Sequence, residues 1–564
     1  MSIFNKVLTG LCLLLLLAPQ LEAASPGKPK LVLQITVDQL RGDLPTRYYE
    51  RLGDGGFRYL LENGVVYRDA HHPHANTETI VGHATLATGT YPSIHGMVGN
   101  LWYDRETGRT TYNVEDPDYH LLTAGADVDK ASEIDPTQKA AKTEGRSPRA
   151  ILSSTFSDEL RASNGGRSRA IGISVKDRGA IALAGHSGMA YWFSKASGEF
   201  VTSNYYLDYY PDWVQDWNRK QHTRRYAGTN WELMHNQTTY VFGNSDEREW
   251  EVDLAGFGRV FPHGYGDGSS PYFTTLLTIS PAGDELVADF AIEALARENL
   301  GNRGYIDYLS VSFSSTDYIG HIFGPSSLEA EDNILRLDRT LARLLAAVDR
   351  QVGLEHTLVV LSADHGGPDT PGYLNSIGIP AGYVNPKEWD REAAIDRIRK
   401  RFGIEGSLIS SYDHPYLYFS NEVTGSTDIN HEALEAAVAE ELTRFPGVYA
   451  AVSSAALRRG NVPDKEVYQA VQRNFHPKRS GDVFLVFEPN WFINDMEGLV
   501  VASTHGSPWR YDTFVPIIFA GAGLKHQVVD RKVYTVDIAP TLSIFVGAKQ
   551  PSGTRGNLLR EVLQ

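Results

Sequence analysis

The chain has 564 residues, 42% of them hydrophobic and 22% charged, with 52 Gly and 27 Pro. That composition fits a folded globular protein and excludes a collagen, a coiled coil or a wholly disordered chain. Lys and Arg number 53 against 69 Asp and Glu, and the formal net charge of −16 argues against sequence-independent binding to nucleic acid, which needs a basic face.

Residues 1–24 run from Lys6 through an apolar stretch, Val7 to Pro19 with Leu at 13 to 17, to Ala23 and Ala24. This is the order of a secretory signal. The apolar run is shorter than the roughly 20 residues that span a bilayer. The expectation is cleavage near Ala24 or Ser25, an exported chain in the periplasm or outside the cell with no membrane segment, and residues 25–564 as a single domain with insertions. Cys12, the one cysteine, would leave with the signal, which excludes thiolate nucleophiles, thiolate metal sites and disulfides from the mature chain.

Leu31–Val37 (LVLQITV) reads as a buried parallel strand that delivers Asp38 at its C-terminal end. Thr77–Ala84 reads as the polar start of a helix. There Thr79 is either an N-cap or a nucleophile beside a helix N-terminus suited to a phosphate or sulfate. Stretches of about 101–148 and 191–270 interrupt the pattern. The second holds Trp192, Trp213, Trp217, Trp231 and Trp250, which either pack a small subdomain or cap a substrate site. Ser280-Pro281 has N-cap and N1 character ahead of Leu286, Phe290 and Leu295. Tyr305–Phe313 reads as a strand before Ser314-Ser315-Thr316-Asp317. Ile334, Leu337, Leu341, Leu344, Leu345 and Val348 follow at helical spacing as far as Gly353. Thr357–Ala363 reads as a strand before Asp364-His365-Gly366-Gly367. A third interruption, about 368–480, is irregular over Pro368–Asp428 and helical near Glu432–Phe445. The alternation predicts an α/β fold, a doubly wound and mostly parallel sheet flanked by helices, with inserted cap segments.

Open α/β sheets carry their chemistry outside the carboxyl ends of strands, so Asp38, Asp317 and Asp364 point to one site assembled from distant segments. Without thiolates, a metal site has imidazoles and carboxylates to use. Asp317-x-x-x-His321 shares a helix face, Asp364-His365 converges at a strand end, and His505 stands in Thr504-His505-Gly506-Ser507-Pro508. Lys176 and Arg178, two apart, read either as a solvated strand end or as an anion clamp.

Seven motifs in chain order carry a resemblance: Val37-Asp38-Gln39-Leu40-Arg41, Thr79-Ile80-Val81-Gly82-His83, His95-Gly96-Met97-Val98-Gly99-Asn100, Lys176-Asp177-Arg178, Thr316-Asp317-Tyr318-Ile319-Gly320-His321, Ala363-Asp364-His365-Gly366 and Thr504-His505-Gly506-Ser507-Pro508. Together with Val536–Thr541 they resemble the alkaline phosphatase superfamily, and within it most the phosphate-irrepressible, PafA-type periplasmic enzymes. The resemblance implies a zinc-dependent hydrolase of small phosphate monoesters with two zinc ions, and the expected state is a monomer. Asp317, His321 and His505 would hold one; Asp38, Asp364, His365 and the Thr79 oxygen would hold the other. It further implies a covalent phosphothreonine at Thr79 and phosphoryl-oxygen contacts from Asn100, Lys176 and Arg178.

Two alternatives stay open: a phosphodiesterase or nucleotide pyrophosphatase of the same superfamily, and a non-catalytic exported phosphate-binding protein. A sulfatase lacks its Cys/Ser-x-Pro-x-Arg motif here. A two-manganese phosphoglycerate mutase would need a Ser nucleophile and a cytoplasmic chain.

Overall fold

The computed structural model describes residues 28–496 and 499–564. The segment read as an export signal, Cys12 included, lies outside the described residues. Nine strands form the main sheet: β1 (Leu31–Val37), β2 (Val65–Tyr67), β3 (Ala170–Ser174), β4 (Met189–Ser194), β5 (Glu199–Val201), β6 (Asp307–Phe313), β7 (Thr357–Ser362), β8 (Ile517–Gly521) and β9 (Gln527–Val529), in the spatial order β9-β2-β8-β7-β1-β6-β3-β4-β5. The run from β7 to β4 is parallel throughout. Antiparallel pairings occur only where β8 meets β7 and β2, and where β5 meets β4. β6 begins at Asp307 rather than at Tyr305 because its pairing with β1 opens at Leu31 opposite Asp307.

Six helices matter for the site: α1 (Thr79–Thr88), α2 (Asp177–Ala184), α3 (Pro281–Arg297), α4 (Ser315–Ile322), α5 (Leu328–Gln351) and α6 (Ile538–Val546). The alternation of β1 explains why helices cover both faces. Leu31, Leu33, Ile35 and Val37 pack with Leu286 and Phe290 of α3 and with Ile334, Leu341 and Val348 of α5. Val32 points the other way, toward Leu183 of α2 and Leu542 of α6. Ser280 caps α3 through the Ala282 N–H with Pro281 at the first position, a device worth ~1 kcal/mol.

Thr79 does not cap α1. Glu78 is the N-cap residue and Thr79 the first helical residue, with its hydroxyl near other groups. α1 packs on α2 and approaches the backbone beyond β7 so closely that a Cβ at Gly82 would stand 1.8 Å from the Asp364 carbonyl oxygen. Alanine ordinarily favours a helix by ~1 kcal/mol over glycine, but here the clash is with main chain and decides the sign. Gly82→Ala is expected to lower the denaturant midpoint by the equivalent of about 1–3 kcal/mol. An unchanged or higher midpoint would contradict this packing.

Two boundaries differ from the sequence reading. β4 and β5 belong to the main sheet, so the chain leaves it after Val201 rather than at Tyr191. The stretch Pro368–Asp428 is not irregular: it holds helices Pro371–Ser376 and Ala393–Phe402 and the hairpin Ile409–Asp413 with Tyr416–Phe419. That hairpin joins Val483–Phe487 and Val448–Ser453 in a four-stranded antiparallel sheet. Its central run Tyr-Leu-Tyr-Phe shows no polar alternation because both faces are buried. Tyr416 and Tyr418 enter the cluster that also holds Ile80 of α1, whereas Leu417 and Phe419 pack with Leu434 and Val438 of helix His431–Leu442.

Candidate active site

Four neighbouring strands, β7, β1, β6 and β3, each end in a polar residue of the site. Asp38 follows β1, Asp364 and His365 follow β7, Asp317 sits in the first turn of α4 just past β6, and Lys176 precedes α2 past β3. Strands in a sheet lie ~4.8 Å apart, so the order of the sheet alone brings these residues within reach of one another. Thr79 enters from α1 and His505 from the loop before β8.

Asp38, Asp364 and His365 place one ligand atom each within 4.8 Å of one another, and so do Asp317, His365 and His505. His365 Nε2 lies 3.2 Å from Asp38 Oδ1 and 3.4 Å from Asp364 Oδ2. His505 Nε2 lies 3.2 Å and His321 Nε2 3.3 Å from the same oxygen, Asp317 Oδ1. His365 thus stands between the two groups, its ring stacked on His505 at 3.6 Å, with His321 flanking Asp317.

All three imidazoles are tied in the same way. Nδ1 donates to a main-chain carbonyl, Gly366 for His365, Thr77 for His505 and Ser503 for His321, at 2.9, 2.8 and 2.8 Å. This fixes each ring so that Nε2 faces the carboxylates and can offer its lone pair to a metal once its proton has left, the usual orienting bond of a metal-ligating histidine. Both Asp38 oxygens, Asp364 Oδ2 and His365 Nε2 are buried without a directed hydrogen bond. Convergent, unsatisfied N and O donors of this kind suit a divalent metal.

Without a metal the charges balance internally. Burial and the Asp317 charge push the Asp38 carboxyl up, Lys176 and His365 pull it down, and it settles at about 2. Asp317 is raised by burial, yet His321 and Lys176 hold it well below the usual range. Burial and Asp38 raise Asp364. Burial lowers His365, but Asp364 and Asp38 outweigh it and lift the imidazole to about 9. Burial and the His365 charge hold His505 at about 3.

Lys176 is 1% and Arg178 2% exposed, so neither is a solvated strand end. The Lys176 ammonium donates to Asp317 Oδ2, lies 2.8 Å from Asp38 Oδ2, and reaches the Thr79 hydroxyl at 3.5 Å. It also rests 4.8 Å from the Tyr318 ring centre. Arg178 Nη1 donates to Asp135 Oδ2 at 2.8 Å while its Nε has no partner. Burial opposes the Arg178 charge, but Asp135 raises its pKa well above the ordinary value. Asn100 accepts the Ile80 N–H through Oδ1 at 3.2 Å, leaving its NH2 to the cavity. Thr79, Asn100, Lys176 and Arg178 line one cavity of ≈210 Å³ with Asp317, His321 and His505.

Some residues of this arrangement escape sequence reasoning. Asp135 is visible as an N-cap, since it accepts from Thr137 N ahead of Pro136, but its second oxygen holds Arg178 forty-three positions away. Asp512 takes Gly506 N, Ser507 N and Ser507 Oγ on its carboxylate, while its carbonyl accepts the Gly366 N–H, so it ties the loops after His505 and His365 together. His83 bonds the Thr79 carbonyl through Nδ1 and Ser312 through Nε2. The tryptophans of the second interruption do not line the cavity. Trp213, Trp217 and Trp231 pack in the main core instead.

A family model described as type I phosphodiesterase / nucleotide pyrophosphatase matches residues 32–508. A protein of Myroides odoratus named calcium-transporting ATPase is 32% identical over 568 residues, covering 100% of both chains. Alkaline phosphatase PhoV of Synechococcus elongatus is 31% identical, with 97% of this chain and 95% of that one covered. Alkaline phosphatase PafA of Elizabethkingia meningoseptica is 31% identical over 95% of each. The wild-type PafA crystal structure superposes with a TM-score of 0.85 over 95% of this chain and 99% of that one. A PafA variant substituted at a Thr, an Asn, a Lys and an Arg gives a TM-score of 0.86.

Proposed function

From the premise that this chain belongs to the type I phosphodiesterase / nucleotide pyrophosphatase family, we propose that it is an exported, zinc-dependent alkaline phosphatase that hydrolyses small phosphate monoesters through a phosphothreonine at Thr79. The carrying observation is the pair of buried cations Lys176 and Arg178 in the cavity of the Thr79 hydroxyl. A monoester dianion offers one more anionic oxygen than a diester, and two fixed positive groups favour it selectively. Full-length likeness to two alkaline phosphatases supports the same reading.

Asp317, His321 and His505 would hold one zinc ion; Asp38, Asp364, His365 and the Thr79 oxygen would hold the other. Zinc, when bound, supplies Lewis acidity that lowers the pKa of the Thr79 hydroxyl and offsets charge on the departing oxygen. Thr79 Oγ1 attacks phosphorus in line, the P–O bond to the leaving group breaks, and the alcohol departs. The N-terminus of α1 and the Lys176 ammonium favour the anionic nucleophile and the transferring phosphoryl group. The Arg178 fork, Lys176 and the Asn100 NH2 hold the other phosphoryl oxygens. Water then cleaves the phosphothreonine, releasing inorganic phosphate and restoring the Thr79 hydroxyl. The signal-like pattern at 1–24 supports a periplasmic or secreted enzyme, which we take to act as a monomer, and no helix among the described residues is long and apolar enough to cross a membrane.

A covalent intermediate has a kinetic signature. Aryl and alkyl monoesters would all pass through the same phosphothreonine. With a fixed concentration of an alcohol acceptor, the ratio of transferred to free phosphate is expected to be identical for every leaving group. A ratio that follows the leaving group would refute the intermediate. The second reading, a phosphodiesterase or nucleotide pyrophosphatase, is favoured by the description of the matching family model and is separated from the first by relative rates on the two ester classes.

A further inference from the structure

We propose that Gln39 is a positioning residue that joins the two ligand groups, its main-chain N–H holding Asp364 and its side-chain amide holding Asp317. The inference rests on the reading of these carboxylates as metal ligands. The Gln39 N–H donates to Asp364 Oδ1 at 3.2 Å, and Nε2 donates to Asp317 Oδ1 at 3.0 Å. One residue therefore orients a carboxylate in each set.

The sheet explains why this position can do so. β1 lies between β6 and β7, so the residue after Asp38 has the Asp317 segment on one side and the Asp364 segment on the other. Reaching both requires a sharp reversal straight out of the strand. Gln39 makes it with φ 64°, a left-handed conformation that costs a non-glycine residue roughly 1–2 kcal/mol. Backbone strain of this kind persists only where the surroundings over-determine it.

The surroundings do. The side chain is 4% exposed and fits a slot made by two glycines. A Cβ at Gly320 would stand 1.7 Å from Gln39 Oε1, and one at Gly367 would stand 2.8 Å from its Cδ. Gly320 precedes His321, and Gly367 follows two residues after His365, so both walls of the slot adjoin the site itself. The amide NH2 is the feature the slot presents to Asp317.

The deciding variant is Gln39→Met, which keeps length and bulk and lacks the donor, with Gln39→Gly beside it to relieve the left-handed strain. Zinc is titrated into the metal-free mature protein against a competing chelator, so that two affinities are resolved without any turnover assay. Wild type is expected to bind two ions. Both variants are expected to lose about 10- to 100-fold in affinity at one ion, the loss typical of an outer-shell partner, and to keep the other, because the main-chain N–H to Asp364 survives substitution. Unfolding of the metal-free proteins checks that the slot still closes. Gln39→Met with two wild-type affinities overturns the inference alone, as does an equal loss at both ions. A wild type that takes up no zinc overturns the metal reading and the inference with it.

Discussion

Thr79→Ala is expected to lower kcat for an aryl phosphate monoester by on the order of 10⁴- to 10⁶-fold, the scale seen when a covalent nucleophile is removed. Its affinity for inorganic phosphate, and its zinc content at saturating zinc, are expected to stay near wild type, because three protein ligands remain for each ion after the Thr79 oxygen is lost. The separation follows from the proposed site: Asp38, Asp364, His365, Asp317, His321 and His505 would supply the N and O donors, and Lys176 and Arg178 the anion contacts, without the Thr79 side chain. Thr79→Ser keeps a hydroxyl at the first position of α1 and is expected to retain a measurable part of the rate. If Thr79→Ala turns over at a tenth of wild type or better, the nucleophile is elsewhere. If wild type itself turns over no phosphoester while binding phosphate, the non-catalytic binding protein is the better description.

The second large effect is on selectivity. Lys176→Ala/Arg178→Ala is expected to cost about 10²- to 10⁴-fold in kcat/KM for a monoester, since hydrogen bonds to charged groups contribute ~1.5–3 kcal/mol each, and much less for a diester. Structural consequences need to be separated from this. Arg178→Ala strands the buried Asp135 carboxylate, and an unpaired buried charge destabilises by ~3–5 kcal/mol. Arg178→Ala/Asp135→Asn removes the stranded charge, so its monoester loss reports on the clamp. Lys176→Ala also takes away the cation lying between Asp38 and Asp317, and zinc bound at saturation supplies that charge in the assay.

The residues proposed as ligands were legible because their chemistry coincides with a local signal. Asp38 and Asp364 close apolar strand runs, and Asp317 and His321 sit i, i+4 on one helix, which α4 reproduces. Lys176 was ambiguous because two basic residues after a strand read equally as a solvated end; only tertiary burial decides it. Gln39, Asp135 and Asp512 were not legible as site residues. Gln39 and Asp135 act through side chains dozens to hundreds of positions away, and Asp512 joins a near loop to Gly366 far back in the chain; their local patterns point elsewhere: a strand exit, an N-cap, a short helix near the C-terminus. The four-stranded sheet was missed because its central strand, Tyr416–Phe419, is four residues long, too short an apolar run for periodicity to separate a strand from a buried helical segment.

The most direct test of the account is kcat/KM of the zinc-loaded mature protein for an aryl phosphate monoester and for the matching methyl aryl diester. The leaving group is the same in both, so the ratio reports only how the site treats the added methyl and the lost charge. The expected result is a monoester advantage of orders of magnitude that collapses in Lys176→Ala/Arg178→Ala. A diester advantage, insensitive to those substitutions, would contradict it and identify a phosphodiesterase.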